Sequence, residues 1–219
     1  MKLISLIICI GIAFIEGSKY EEIFIHTVDA GYIDLARMPN ILENTTDLSK
    51  FGIDVTSGIL KFQVKACNDV NLYLTETLSA NRSRSFYNVI IGVSRGYKVK
   101  FHEIINSTIV GRNDADDDVD CDLELPLLDC NEFRKFWISW KNGYVRVGKG
   151  QNENEDEIYS WHFNPLFPVK AVGIQTARGS TGDWIIYTPG KCIYEINYCF
   201  AYALLRDKTT QNLRLNTNF

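Results

Sequence analysis

Apolar residues recur at every second position along most of this chain. "LKFQVKA" sets Leu60, Phe62, Val64 and Ala66 on one side and Lys61, Gln63 and Lys65 on the other, the period of a strand with one buried face. "YKVKFHE" repeats the pattern, with Tyr97, Val99 and Phe101 opposed to Lys98, Lys100 and His102. "FYNVIIGV" is apolar on both sides and predicts a strand covered on both. "NLYLTETLSA" reads as a strand and then a turn. "KAVGIQT" and "DWIIYT" read as two strands joined by the loop from Ala177 to Gly182, and "CIYEINYCF" as a late strand. No long run has helical spacing. Short strands separated by Gly, Asn, Asp and Pro predict an all-β fold, an antiparallel, jelly-roll-like β-sandwich of one domain.

One stretch predicts its own register. In "FWISWKNGYVRVGKG", Asn142-Gly143 sits between alternating segments, the strongest local sign of a two-residue type I′ hairpin. Such a turn sets Lys141 opposite Tyr144, Trp140 opposite Val145, Ser139 opposite Arg146 and Ile138 opposite Val147. Facing residues share a side. Ile138, Trp140, Val145 and Val147 therefore form the core face, and Trp137, Ser139, Lys141, Tyr144 and Arg146 the other.

The N-terminus departs from alternation. "MKLISLIICIGIAFIEGS" has a positive Lys2, an unbroken apolar run from Leu3 to Ile15, and small Gly17 and Ser18. The run is shorter than the roughly 20 residues of a membrane span. It predicts a secretory signal peptide over residues 1–17, hence an extracellular protein that does not span a membrane once cleaved. N-terminal strands over 18–56 then lead into the main body of the domain at 57–200, with a loose polar tail at 201–219.

Secretion changes the reading of the cysteines. Cys9 leaves with the signal peptide, and Cys67, Cys121, Cys130, Cys192 and Cys199 remain in a compartment that favours disulfides. The close pairs Cys121/Cys130 and Cys192/Cys199 are the easiest loops to close. Cys67 is then the odd residue, a buried thiol or the bridge of a disulfide-linked dimer. Three sequons, at Asn44, Asn81 and Asn106, predict glycosylation.

Charge excludes one class of partner. The net charge is −4 and there is no Lys/Arg block, so nothing offers nucleic acid a phosphate-tracking stripe. The segment "NDADDDVDCDLE" alternates carboxylates from Asp114 to Glu124. Its spacing does not fit an EF-hand loop, and mutual repulsion predicts a solvated insertion, with calcium or a basic partner as alternatives. No Cys-x-x-Cys spacing supports zinc, so no metal is expected. His26, His102 and His162 are scattered and predict no catalytic triad.

Several of these motifs together resemble the farnesoic acid O-methyltransferase-like domain family. "FWISWKNGYVRVGKG" and "YSWHFNPLFPVKAVGIQTARGSTGDWII" carry the resemblance, with "FQVKACNDVNLYL" and "YNVIIGVSRGYKVKF" upstream, over roughly Ser57 to Tyr198. The family's pattern places a tryptophan in each of two loops. Here those loops read Gly92-Val93-Ser94-Arg95-Gly96 and Ala177-Arg178-Gly179. The resemblance implies methyl transfer from S-adenosylmethionine to a sesquiterpene acid of juvenile-hormone metabolism. The residues themselves show neither the strand–helix alternation nor the Gly-rich turn and helix that such a cofactor needs. Gly143, Gly148 and Gly150 lie in and after a hairpin.

The expectation is therefore a secreted binding module without cofactor or catalysis, for a carbohydrate, an extracellular protein or a small apolar ligand. A disulfide-linked structural or secreted effector protein, of the kind found in saliva or venom, is the other alternative to the methyltransferase. Candidate ligand contacts are Trp137, Tyr144 and Arg146 on the outer face of the hairpin, and Arg178, Ser180, Thr181 and Asp183 in the Gly-rich loop.

Overall fold

Every second side chain of β3 (Ile59–Lys65) is buried: Leu60, Phe62 and Val64 face the core, while Lys61, Gln63 and Lys65 lie half-buried on the opposite side. A computed structural model describes residues 20–33, 42, 44–78, 85–113 and 126–189, all within the unit Tyr20–Pro189. "CIYEINYCF", the acidic run from Asp114, the expected signal peptide, the expected tail, Asn81, Cys121, Cys192 and Cys199 lie outside these residues.

The strands form two six-stranded sheets. One has β1 (Tyr20–Thr27) at its edge, then β12 (Gly182–Pro189), β3, β8 (Arg134–Lys141), β9 (Tyr144–Lys149) and β10 (Glu157–His162). The other runs β2 (Thr46–Asp47), β11 (Ala171–Thr176), β4 (Val70–Thr75), β5 (Phe86–Gly92), β6 (Lys98–Ile105) and β7 (Thr108–Asn113). All these pairings are antiparallel, and helix among the described residues is limited to the 3-10 turn Leu48–Phe51 and the single α-helical turn α1 (Val93–Gly96). The antiparallel sandwich expected from alternation is the observed fold. The loop from Ala177 to Gly182 carries the chain from one sheet to the other.

The inner faces meet in one core. Phe62 packs on Phe136 and Trp184 with ring centroids 5.8 and 5.5 Å apart, among Leu72, Val89, Ile138, Val147 and Ile174. The outer face of the second sheet is covered too: Tyr73, Phe86 and Ile104 join Leu42, with Ile33 and Leu78 against them. Polar residues on that face are buried and bonded. Tyr73 Oη donates to Gln175 Oε1 at 2.9 Å, and Asn71 Nδ2 to the Asp69 carbonyl at 2.9 Å. β4 and β11 are accordingly buried on both sides. This second layer also corrects the reading of β6. His102, expected on a polar face, is 7% exposed, whereas Tyr97, expected in the core, lies ahead of the strand at the end of α1 and is 39% exposed.

The hairpin register is the expected one, from Lys141↔Tyr144 to Ile138↔Val147. Asn142 (φ 55°) and Gly143 (φ 76°) take the left-handed conformations of a type I′ turn. Ile138, Val145 and Val147 are buried and Trp140 packs against the core. Trp137 corrects the outward reading: it is wholly buried. Gly148 faces it across the ladder, and a Cβ there would lie 2.3 Å from the indole Cε2. Trp137 Nε1 donates to the Glu155 carbonyl at 2.8 Å, on the stretch between β9 and β10. The ring is thus sandwiched, and its burial contributes on the order of 4–6 kcal/mol of transfer free energy before entropy is subtracted.

Gly148→Ala must displace that ring. It is expected to cost about 1–3 kcal/mol in denaturant unfolding; stability equal to the native protein's would refute the packing of Trp137 on Gly148.

Candidate functional site

Four chain segments converge where β1 and β3 end and β8 and β12 begin. The ladder aligns His26 with Asp183, and Asp183 with Lys65, across three neighbouring strands. His26 Nδ1 donates to Asp183 Oδ1 at 2.7 Å, and Lys65 Nζ to Oδ2 at 2.8 Å. The Lys65 ammonium also stands 5.4 Å from the centroid of Phe133, just ahead of β8. Beside this trio runs an open groove of about 400 Å³, lined by Phe24, Ile25, His26, Phe133, Asp183 and Trp184. Phe24 is 68% exposed and Phe133 36%, while Ile25 and Trp184 belong to the core beneath.

The "GSTGDW" stretch builds the groove wall. Trp184 Nε1 donates to Thr27 Oγ1 at 2.9 Å, and Thr27 Oγ1 donates to the Gly182 carbonyl at 3.3 Å. Gly182 has no room for a side chain: a Cβ would sit 2.7 Å from Thr176 Cγ2 and 2.9 Å from Thr27 Oγ1. Asp183 is the residue this arrangement turns outward. The Lys65 hydrogen bond, and after it that of His26, hold its carboxyl below the usual carboxylate range.

The other candidates divide. Ser180 is 1% exposed, and its Oγ accepts from the backbone N–H of Cys67 at 3.0 Å and of Asn68 at 3.4 Å. It is a brace within the loop and not a surface contact. Thr181 is exposed. Arg178 is exposed at the same end and pairs with Asp69, Nε to Oδ2, at 2.8 Å. Tyr144 (37% exposed) and Arg146, which donates to Asn154 Oδ1 at 3.2 Å, lie toward the opposite end of the same sheet. Seven residues of β8, roughly 23 Å of strand, separate Arg134 beside the groove from Lys141 beside Tyr144. The structure therefore does not bring the two candidate sets together. Trp137, enclosed as described, belongs to neither.

Cys67 is not the odd cysteine. It is exposed and bonded to Cys130 across 63 residues, because β3 and β8 are ladder neighbours and the two half-cystines lie just past their paired ends. Cys130 is thus not paired with Cys121. Sequence reading missed Phe24, Phe133 and Lys65 as site residues. The one available signal was Phe24 and His26 at i and i+2 on the side of the strand that also carries Tyr20 and Glu22.

Residues 29–190 match the family model described as farnesoic acid O-methyl transferase. No curated protein matches the chain. Among solved structures it is similar to a prokaryotic beta-1,3-1,4-glucanase (lichenase) derived from a mouse hindgut metagenome, with 16% identity over 61% of this chain and 66% of that one and a TM-score of 0.38. The chain spans just under two thirds of that enzyme's length. It is similar also to a Bacillus licheniformis beta-glucanase (12% identity, 78% of this chain, 82% of that one, TM-score 0.40). A third likeness is to the carbohydrate binding module CBM66 from Bacillus subtilis (10%, 57%, 70%, TM-score 0.39).

The described residues do not build the Gly-rich turn and helix N-terminus of a doubly wound cofactor fold. Gly143 turns the hairpin, Gly148 is filled by Trp137, and α1 is a single turn, so no Gly-rich loop leads into a helix N-terminus.

A carboxyl with a depressed folded value contributes stability above its unfolded value, about 3.9, and loses it as pH falls through the folded value. The stability gap between native protein and Asp183→Asn is therefore expected at neutral pH and should close on acidification below about pH 4. Thermal unfolding across pH measures it. A gap that persists undiminished at low pH would show that the Asp183 ion trio is not its source.

Proposed function

The chain belongs to the family described as farnesoic acid O-methyl transferase, and within it we propose that this protein is a secreted, non-catalytic β-sandwich module that binds carbohydrate in the groove between Phe24 and Phe133. The observation that carries this reading is the pairing of two exposed phenylalanine rings with one ionised carboxylate held by a lysine and a histidine. Aromatic faces pack on the C–H faces of a sugar ring at low entropic cost. A carboxylate held ionised accepts hydrogen bonds from vicinal hydroxyls, Lys65 donates to the sugar's oxygens, and His26, whose Nδ1–H is given to Asp183, accepts through Nε2. A small apolar ligand needs a concave site that buries most of its surface. This groove is open and crossed by charge, so such a ligand would desolvate Asp183 without compensation.

Binding is favoured over hydrolysis by the same side chains. Glycosidic cleavage requires two carboxyl groups flanking the bond, one of them with a raised pKa. Among the described residues lining the groove Asp183 is the only carboxylate, and its pKa is lowered.

Secretion rests on the signal-like N-terminus and on the Cys67–Cys130 disulfide, which fits an oxidising compartment. No described helix is long and apolar enough to cross a membrane. With Cys67 and Cys130 joined, the odd cysteine falls to Cys121, Cys192 or Cys199. We assign glycans to Asn44, Asn81 and Asn106. Asn44 is exposed ahead of β2 and Asn106 is exposed in the β6–β7 turn, so both flank the sheet that does not carry the groove.

The test is a glycan array followed by calorimetry with the best oligosaccharide. Phe24→Ala, Phe133→Ala and Asp183→Asn should each weaken binding about tenfold, 1.4 kcal/mol, while Tyr144→Ala retains it. No saccharide ligand on the array, or loss only in Tyr144→Ala, refutes the groove as a carbohydrate site.

A further inference from the structure

The loop that delivers Asp183 to the groove also holds an arginine in an unusual way. Arg178 has φ +56°, and its ion-pair partner Asp69 has φ +44°. Left-handed backbone is uncommon outside glycine, so both ends of one salt bridge sit in disfavoured conformations. The loop is over-determined around them. Arg178 N–H donates to the Gly31 carbonyl at 2.9 Å, and Gly179 N–H to Asp29 Oδ1 at 3.1 Å, which also accepts from Gly31 N–H at 2.9 Å. The guanidinium lies 5.1 Å from the ring centroid of Tyr32, itself 76% exposed.

The geometry leaves part of this group unused. Asp69, 8% exposed, engages Nε, and no described residue engages the terminal nitrogens of Arg178, whose side chain is 57% exposed. Burial pushes the Asp69 carboxyl up while Arg178 and Lys100 pull it back, so its charge is tied to the pair behind the guanidinium. A planar fork fixed on one edge, stacked on a ring and open at its other edge matches a bidentate anion such as carboxylate or sulfate. A surface arginine with no ligand has no need of such restraint.

We propose that Arg178, stacked on Tyr32, is an anion subsite beside the groove, so that the saccharide bound there is acidic, bearing a carboxylate or sulfate group. This rests on the groove reading given above. The two features share their segments, with Phe24 to Tyr32 on one side and Arg178 to Trp184 on the other. Five residues separate Arg178 from Asp183, at most about 18 Å of extended chain, a span that an oligosaccharide covers.

The experiment compares affinities of the full chain for three probes: a hyaluronan octasaccharide, the same octasaccharide with its carboxyl groups reduced to alcohols, and a sulfated chondroitin octasaccharide with its carboxyl groups likewise reduced, so that sulfate is its only anion. Either acidic probe is expected to bind at least tenfold more tightly than the neutral one, and which of the two does so identifies the anion. Arg178→Gln should bring the acidic-to-neutral ratio toward one. Arg178→Gly, which relieves the backbone, should do the same and guards against a folding defect in the first variant. Arg178→Lys, which keeps charge without the fork, should recover only part of the ratio. Equal affinity for acidic and neutral probes, unchanged by these variants, overturns the anion subsite and leaves the groove standing. Absence of all saccharide binding, with Phe24→Ala indistinguishable from native, overturns both.

Discussion

A buried hydroxyl and a disulfide hold together the end of the sandwich on which the site depends. Ser180 Oγ accepts the N–H groups of Cys67 and Asn68, which have left β3 and have no ladder partner. Cys67 is in turn bonded to Cys130, and the Ala66 N–H donates to the Asp129 carbonyl at 3.1 Å. Backbone groups at a strand end need partners or water, and here the partners come from distant chain, Asp129 for Ala66 and Ser180 for Cys67 and Asn68. Closing a loop of 63 residues restricts the unfolded chain by on the order of 4 kcal/mol in the chain-entropy account. The stabilisation is concentrated where Lys65, Phe133 and Asp183 must be presented together.

The two sheets divide the labour because they are covered differently. The sheet containing β4, β5 and β11 is buried on both faces by the core and by the second apolar cluster at Leu42, Tyr73, Phe86 and Ile104. Polar side chains on its outer side bond to one another: Asn88 Nδ2 reaches Asn71 Oδ1 at 3.4 Å, close to the Asp69 that pairs with Arg178. The other sheet keeps an outer face of charged and aromatic residues. Along it, neighbouring strands set cation, carboxylate and ring side by side, which sequence order alone would scatter.

That difference explains how much of the molecule was legible in the sequence. Alternation and Asn142-Gly143 determine strand, turn and register locally, and the hairpin formed as read. Alternation reports which side a residue takes but not what covers that side. Trp137 took the outer side and was then enclosed by the gap at Gly148 and the Glu155 backbone, and His102 was enclosed by a second layer. The site was legible only in part for a related reason. Asp183 stood out in a Gly-rich loop, but Phe24, Lys65 and Phe133 join it through cross-strand neighbours, and periodicity along one strand carries no information about its neighbour. The cysteines illustrate the same limit. The nearest pairs in sequence were the natural choice, yet the sandwich sets Cys67 beside Cys130.

The Asp183 trio also bears on the work proposed for this surface. A general acid must hold a proton near neutral pH, which needs a carboxyl raised by burial or by a like charge. Asp183 is in the opposite state, half-exposed and lowered by Lys65 and His26. A general base or nucleophile must be able to leave its resting partners as the reaction proceeds. Here both oxygens are already bonded, one to His26 and the other to Lys65. Such a group presents fixed acceptors and donors in one plane beside two aromatic rings. As the proposed saccharide site, that arrangement would discriminate among arrays of hydroxyl groups by direction. The frame beneath, in which Trp184, Thr27 and Thr176 are locked by hydrogen bonds and Gly182 has no space for a Cβ, keeps that plane still. Rigidity of this kind lowers the entropic cost of binding, which is the property a recognition surface needs.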